Sequence, residues 1–234
     1  MKKILLLSAC ALTLLISACQ KDTIDFTGYT RADGTTPDPG TVSGTAVTVN
    51  PAYNYQPVSK DSYWKRASSG VGQPSDTTTE VMLGTTLTDQ GRVYNIASSK
   101  LASEARATTT NFYNSGDTYS ARDVDADGDF IETVYLKANM AVGQEWDAAE
   151  LKPSADVQAT GKILEKGITR TVKGKIFKDV IHTKIIIKFA NGNGGFDTLA
   201  DTDYYIAKGV GVIEARAVAL GVTVTTQLYD FSIK

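Results

Sequence analysis

The sequence predicts a mainly β domain, an antiparallel meander that forms a curved sheet, a sandwich or a partly open barrel, with at most one short helix. Three observations predict this class. Apolar and polar residues alternate through much of the range 53–234, as they do in strands with one buried and one wetter face. Runs rich in Gly, Asn and Asp separate the alternating segments. The range is also long enough for a single domain with a sizeable core.

Five strands are predicted in the first half of this domain. Asp89-Gln90-Gly91 is a hairpin signal between two alternating segments, and Asn114-Ser115-Gly116-Asp117 is another. The Ala-rich stretch 98–107, with Lys100 and Glu104 at helical i and i+4 positions, is the one segment that favours a helix. The predicted strands are 81–88, 92–97, 111–113, 118–122 and Phe130–Lys137.

The second half alternates more regularly. Residues 155–163 place apolar side chains on one face, and Glu165-Lys166-Gly167 predicts a turn. The strand around 181–189 carries His182 and Lys184 on its polar face. After a loop rich in Gly and Asn, 191–195, the last strands are predicted near 204–207, 210–218 and 222–233.

A leader, residues 1–18, starts the chain. Its apolar run, 4–16, has the length of a secretion signal rather than the roughly 20 residues of a membrane-spanning helix. Ile16-Ser17-Ala18-Cys19 resembles the bacterial lipobox, and the resemblance implies that Cys19 is acylated and becomes the first mature residue. Buried acyl methylenes, worth about 0.8 kcal/mol each, would then hold the protein on a membrane. The alternatives are a general secretory signal with an incidental cysteine and a buried apolar helix.

Residues 19–52 are predicted to be a flexible tether, because they are rich in Thr, Gly, Asp and Pro and hold few large apolar groups. The tether reaches on the order of 30 Å from the lipid. Gln20, Lys21 and Asp22 directly follow Cys19 and resemble the export signal of surface lipoproteins of the Bacteroidetes. The resemblance implies an outer-membrane protein whose domain faces the medium. An ordinary polar tether, with the domain facing the periplasm, is the alternative.

Three tripeptides resemble the Asp-Ser/Thr-apolar acceptor that the same group uses for O-glycosylation. They are Asp22-Thr23-Ile24, Asp76-Thr77-Thr78 and Asp197-Thr198-Leu199. Thr23 is the favoured candidate, since the backbone of a tether is accessible to an enzyme.

Cysteine content and charge limit the partners. Cys10 lies in the leader and Cys19 carries the predicted lipid, so the mature domain has no thiol for a disulfide and depends on its core for stability. Without Lys2 and Lys3 the chain holds 22 basic and 26 acidic residues, a net charge of −4. This balance argues against nucleic acid as a partner.

One acidic cluster predicts a cation site. Asp123, Asp125, Asp127 and Asp129 alternate around Gly128, and several carboxylate oxygens near a tight turn suit calcium. The segment starts like an EF-hand loop, but the twelfth position is Val134 and supplies no bidentate acid. The alternative is a solvated hairpin turn, for which Asp-Gly is a strong signal.

Aromatic residues offer a second kind of candidate site. Tyr53, Tyr55, Tyr63 and Trp64 crowd the start of the domain, and Trp146 follows a Gly-Gln turn. If exposed, Tyr63, Trp64 and Trp146 could stack on sugars or bind a peptide; if buried, such side chains close one end of a β core.

The residue types argue against an enzyme. His182 is the only histidine, which excludes multi-histidine metal centres. No cysteine nucleophile follows the leader, and no phosphate-binding glycine loop or dinucleotide motif is present. We therefore predict no catalytic residues and, apart from calcium, no cofactor. The alternative is a glycoside hydrolase whose carboxylate pair is assembled in space from acids such as Glu132, Glu145, Asp147 and Glu150.

The C-terminal third resembles lipoproteins of the Bacteroidetes. Tyr204-Tyr205-Ile206-Ala207-Lys208-Gly209-Val210-Gly211 is similar to a strand pair near the end of those proteins, where Ser62-Tyr63-Trp64-Lys65 also has a counterpart. These relatives have no settled activity, so the resemblance implies an architecture and no chemistry.

Two functions remain open from the sequence. The first is a lipid-anchored, non-catalytic binding or accessory module at the cell surface, with a glycan, protein or polymer as ligand. The second is a periplasm-facing carrier that encloses an apolar ligand or lipid in a curved sheet. An exposed aromatic surface favours the first, and a deep apolar cavity favours the second.

Overall fold

The structure is a computed structural model that describes residues 44–50, 52–70, 73–124, 130–149 and 156–234. These residues form strands, turns and loops, and none of them is helical. The described strands are β1 (Thr45–Ala46), β2 (Tyr63–Gly70), β3 (Gln73–Asp89), β4 (Arg92–Leu101), β5 (Thr108–Ser115), β6 (Thr118–Val124), β7 (Phe130–Lys137), β8 (Glu145–Asp147), β9 (Val157–Val172), β10 (Lys175–Ala190), β11 (Phe196–Ala207), β12 (Gly211–Ala219) and β13 (Val222–Ser232).

Two antiparallel meanders make up one sheet. Strands β2 to β7 follow one another, strands β8 to β13 do the same, and pairing of β2 with β13 joins the two series. The edge strands β7 and β8 are then brought together through Ala148: Val134 N–H donates to the Ala148 carbonyl over 2.8 Å, and Ala148 N–H donates to the Ala159 carbonyl over 2.9 Å. The sheet is therefore an antiparallel, nearly closed barrel, which confirms the predicted fold class.

Turn chemistry sets the register of the long hairpins. Gln90 and Gly91, between β3 and β4, both have positive φ, 48° and 77°, as a two-residue turn that follows the strand twist requires. The hairpins predicted around Asp89-Gln90-Gly91 and Gly116-Asp117 are both confirmed. The strand predicted at Phe130–Lys137 is β7, with the predicted bounds.

The helix predicted at 98–107 is wrong. Residues 98–101 complete β4, which pairs with β3 on one side and β5 on the other. Ala97 and Ser99 are buried while Lys100 is exposed, so the burial has a period of two. Pairing on both sides outweighs the weak helical propensity of an Ala-rich segment.

The turn predicted at 165–167 is also wrong. Strand β9 continues through these residues, with Ile168 opposite Val180 and Glu165 opposite His182. Lys166 and Gly167 thus form a β-bulge, in which Gly167 adopts a φ of 69°. The chain instead reverses at residues 173–174, after a strand of 16 residues.

Among the described residues, buried side chains form two core clusters. One lies near the junction of β7 and β8 and includes Trp146, Ile163 and Ile185. The other includes Trp64, whose indole N–H donates to the Val210 carbonyl over 2.6 Å, and Leu228. Full burial of such side chains contributes about 1.5–3 kcal/mol each.

The chain joins the folded body before the predicted boundary at residue 53. Strand β1 pairs in parallel with β10, and Val47 and Val49 pack on the second core cluster. Farther along, the Asn54 carbonyl accepts a hydrogen bond from Gly209 N–H over 2.8 Å. The segment leading into β2 is therefore held against the loop between β11 and β12.

Candidate functional site

A surface pocket of about 360 Å³ lies where this leading segment meets the ends of several strands. Its volume is near the lower end of the range of small-molecule sites. We call it the tyrosine pocket. It is lined by Ala52, Tyr53, Asn54, Tyr55, Gly116, Asp117, Tyr119, Ala138, Asn139 and Lys208.

Hydrogen bonds and ring contacts hold the aromatic side of the tyrosine pocket. The rings of Tyr55 and Tyr119 meet edge to face, with centroids 6.1 Å apart. The Tyr53 hydroxyl donates to the Lys234 carbonyl over 2.9 Å. These contacts within the protein hold the aromatic side chains in place, which reduces the entropy cost of binding.

Polar groups from three loops and from the segment that leads into β2 occupy the rest of the tyrosine pocket. Asp117 accepts a 3.3 Å hydrogen bond from Asn139 N–H through its carboxylate, and the Asn54 side chain accepts one of 3.0 Å from Gln56 N–H. Asn54, Asn139 and Lys208 are exposed. Burial raises the pKa of Tyr55 and of Tyr119, so both phenols are neutral at physiological pH. The pocket thus combines neutral aromatic rings with amide, carboxylate and ammonium groups.

The three aromatic residues predicted to bind ligand lie elsewhere. Trp64 and Trp146 are buried, and the Trp146 indole donates to the Val134 carbonyl over 2.8 Å. Both belong to the core, the second of the two alternatives raised by the sequence. Tyr63 is half-buried, and its hydroxyl donates to Asp230 over 3.3 Å. Tyr53 and Tyr55, close to Tyr63 in the sequence, line the tyrosine pocket together with Tyr119.

His182 lies between two carboxylates that the sequence did not reveal. Its Nδ1 is 2.9 Å from Glu165 Oε2, its Nε2 is 2.9 Å from Asp203 Oδ1, and its ring stacks on Tyr205. A neutral imidazole has one N–H and can donate to only one of these carboxylates. Burial opposes ionisation of Asp203, but the hydrogen bond from His182 and the charge of Lys184 together lower its pKa. The cluster links β9, β10 and β11 through hydrogen bonds between side chains.

The carboxylate of Glu132, in β7, is buried and is held by other side chains of the sheet. Glu132 is fully buried and accepts hydrogen bonds from Arg92 at 2.6 Å, Tyr94 at 2.5 Å and Ser120 at 2.5 Å. Burial and this carboxylate raise the pKa of Tyr94 far above its usual range. With three donors in place, Glu132 connects strands of the sheet.

Several predicted sites lie outside the described residues. These are Cys19, Gln20, Lys21, Asp22, Thr23 and the segment 125–129, which contains Asp125, Asp127 and Asp129. Asp123 lies in β6, where its backbone is opposite Thr110 and Ile131. Within the described ranges, no group of three or more His, Cys, Asp or Glu side chains is arranged to bind a metal. Asp76 and Thr78, from one of the three acceptor-like tripeptides, are buried.

No family model and no curated protein matches the chain. Three solved structures show a distant likeness. A protein of Bacteroides fragilis, described as exported and as having a YmcC-like fold, has 8% identity over 77% of this chain and 100% of its own, with a TM-score of 0.47. A protein of Parabacteroides distasonis, described as a lipoprotein, has 12% identity over 77% of this chain and 99% of its own, with a TM-score of 0.45. LprF of Mycobacterium bovis has 9% identity over 79% of this chain and 90% of its own, with a TM-score of 0.27.

These similarities are too low to transfer a function, so the proposals below depend on the residues of this chain. The described part of the chain contains no helix with the length and hydropathy needed to cross a membrane.

Proposed function

We propose that this protein is a lipid-anchored, non-catalytic binding module of the cell envelope, displayed on the outer surface of the outer membrane. The lipobox-like Cys19 supplies the anchor, and the tether supplies the distance from it. The tyrosine pocket supplies the binding site, and its ligand is a glycan, a protein or a polymer. The observation that carries the proposal is this pocket, which places aromatic rings beside exposed amide groups.

The polar groups of the domain support binding rather than catalysis. The buried carboxylate of Glu132 has three hydrogen-bond donors, and His182 has a carboxylate at each ring nitrogen. The hydroxyl of Thr183, next to His182, donates to the Tyr135 carbonyl over 2.9 Å. A general base needs a nucleophile within hydrogen-bond reach, and these contacts already engage Glu132, His182 and Thr183 with other groups.

The alternative function, a periplasm-facing carrier of an apolar ligand or lipid, has less support. Arg66 and Glu80 form a 2.9 Å ion pair with side chains only 14% and 7% exposed. Glu80 lies opposite Trp64 in the pairing of β2 with β3, so the two side chains are on the same face of the sheet. Arg66 and Met82, two residues further along their strands, are on that face too, and Trp64 and Met82 belong to the core. A charged pair on the core face suits an apolar ligand poorly, because such a ligand cannot compensate the desolvation of polar groups.

The proposed function is tested by filling the tyrosine pocket. Asn139 is exposed and lines the pocket, so Asn139→Trp blocks the pocket without changing the core. Asn193→Trp places the same side chain in the exposed loop 191–195 and is the matched control. The mature protein in detergent should bind arrayed glycans, peptides or envelope polymers, and only Asn139→Trp should lose that binding. Binding that survives Asn139→Trp would contradict the proposal.

A further inference from the structure

We infer that the tyrosine pocket binds one terminal hexopyranose unit of a glycan, an inference that rests on the binding function proposed for the same pocket. Three properties of the pocket support this class of ligand: the arrangement of its rings, the chemistry of its polar groups and its size.

The rings provide apolar contact with polar edges. Tyr53 and Tyr55 are half-buried, and Tyr55 is fixed edge-on against Tyr119. A tyrosine presents an apolar body and a polar tip. A pyranose ring has the matching division, with C–H groups on its faces and hydroxyl groups around its rim. The hydroxyl of Tyr53 is engaged by the Lys234 carbonyl, so the contact it offers a ligand is through its ring.

The polar groups suit a ligand with many hydroxyls. The Asp117 carboxylate is an acceptor, and each of the Asn54 and Asn139 side chains carries a donor and an acceptor. A hydroxyl both donates and accepts, so adjacent hydroxyls can satisfy such a mixed set. A proline-rich peptide, another ligand that docks on clustered aromatic residues, offers mainly carbonyl acceptors. A ligand that offers only acceptors cannot donate a hydrogen bond to the Asp117 carboxylate.

The size and opening of the pocket favour the end of a glycan. The volume of about 360 Å³ is near the lower limit for small-molecule sites, which favours one sugar ring over a longer segment of a glycan. Asn54, Asn139 and Lys208 are exposed, so the rest of the glycan can extend into solvent.

Saturation-transfer NMR on the full mature protein in detergent tests this inference. The probes are the methyl glycosides of glucose, galactose, mannose, N-acetylglucosamine and glucuronic acid, together with an acetylated tetraproline peptide. We expect at least one glycoside to receive saturation at its ring C–H protons. Asn139→Trp should abolish that signal, and Asp117→Asn should weaken the affinity about tenfold, because a hydrogen bond to a charged acceptor is lost. Asn193→Trp and Tyr63→Phe should leave the signal unchanged.

Two other results separate this inference from the proposed function. If tetraproline binds in a manner sensitive to Asn139→Trp and no glycoside does, the sugar assignment is overturned while the pocket remains a binding site. If no probe, arrayed glycan, peptide or polymer shows binding that depends on Asn139, both the sugar assignment and the binding function are overturned.

Discussion

The Tyr94 hydroxyl in β4 donates a 2.5 Å hydrogen bond to the Glu132 carboxylate in β7, although β5 and β6 lie between these strands in the sheet. Arg92, also in β4, reaches the same carboxylate over 2.6 Å. Side chains three strands apart meet in this way only where the sheet is strongly twisted and coiled. Glu132 is therefore a central contact of the N-terminal meander, and its removal should be felt across four strands.

Replacement of Glu132 by Ala should lower the free energy of unfolding by about 3 kcal/mol, because Arg92 loses a fully buried carboxylate partner. Urea denaturation at pH 7 measures the loss. Glu145→Ala removes an acid that is 57% exposed and paired with Lys162, and it should change the free energy by less than about 1 kcal/mol. Equal effects of the two substitutions would argue against the role given to Glu132.

The acid sensitivity of the fold should depend on Asp203. The pKa of Asp203 is lowered in the folded state, since the hydrogen bond from His182 and the charge of Lys184 outweigh burial. Such a group stabilises the fold above its unfolded pKa, about 3.9, and that contribution is lost as the pH falls through the folded value. Asp203→Asn should therefore lower the free energy of unfolding at pH 7. It should also reduce the fall in that free energy between pH 5 and pH 3.

Urea midpoints at pH 7, 5, 4 and 3 measure this effect. Asp61→Asn is the matched control, because Asp61 is exposed and its φ of 63° is one that Asn also adopts. If the urea midpoint of Asp203→Asn falls with pH as steeply as that of the parent protein, Asp203 is not the source of the acid sensitivity.

Position 161 must be a glycine because the indole ring of Trp146 occupies the space that a side chain there would need. A Cβ atom at this position would overlap the indole of Trp146, which lies opposite Gly161 and donates to Val134 of β7. Gly161→Ala should therefore displace Trp146 and cost about 1–3 kcal/mol. In contrast, Gly195→Ala meets only the flexible side chain of Asn191 and should cost about 0.5 kcal/mol or less. Thermal melts followed by tryptophan fluorescence distinguish the two.

Calcium binding by the acidic cluster remains a prediction. Val134 stands at the twelfth position of the EF-hand-like segment that starts at Asp123, and it is apolar and buried in β7. The nearby Glu132 already accepts hydrogen bonds from three donors, so its carboxylate is engaged. Ligands must then come from Asp123, Asp125, Asp127 and Asp129. Calcium at ten- to hundredfold excess over its dissociation constant should stabilise the fold by about 1.4–2.7 kcal/mol and raise the melting temperature by a few degrees.

Asp125→Ala and Asp127→Ala should each abolish this rise, and magnesium at the same concentration should not replace calcium. A melting temperature that stays constant up to millimolar calcium would show that the segment is a turn without a cation.

Local signals in the sequence predicted most strands of the fold. The Gln90-Gly91 hairpin follows from turn chemistry, and the C-terminal strands follow from a period of two in their side chains. The predictions were wrong where the local structure depends on contacts with residues far away in the sequence. Ser99 becomes a strand residue because β3 and β5 pair on either side of it. Lys166-Gly167 becomes a bulge because β9 continues along β10 beyond it.

The candidate site could be predicted only in part, for the same reason. The clustering of Tyr53 and Tyr55 was visible in the sequence, but their neighbours Asp117, Asn139 and Lys208 come from three loops that are far apart in the sequence. Burial of Trp64 and Trp146 depends on which strand face points inward, and that is set by the closure of the sheet.

The most direct test of the account asks whether the tyrosine pocket faces the medium on living cells. The chain has two cysteines, Cys10 in the leader and the predicted lipid-bearing Cys19, so Asn139→Cys introduces one free thiol at the pocket. A membrane-impermeant maleimide should label this variant on intact cells and should not label the parent protein. Labelling that requires disruption of the outer membrane would contradict surface display and place the pocket in the periplasm.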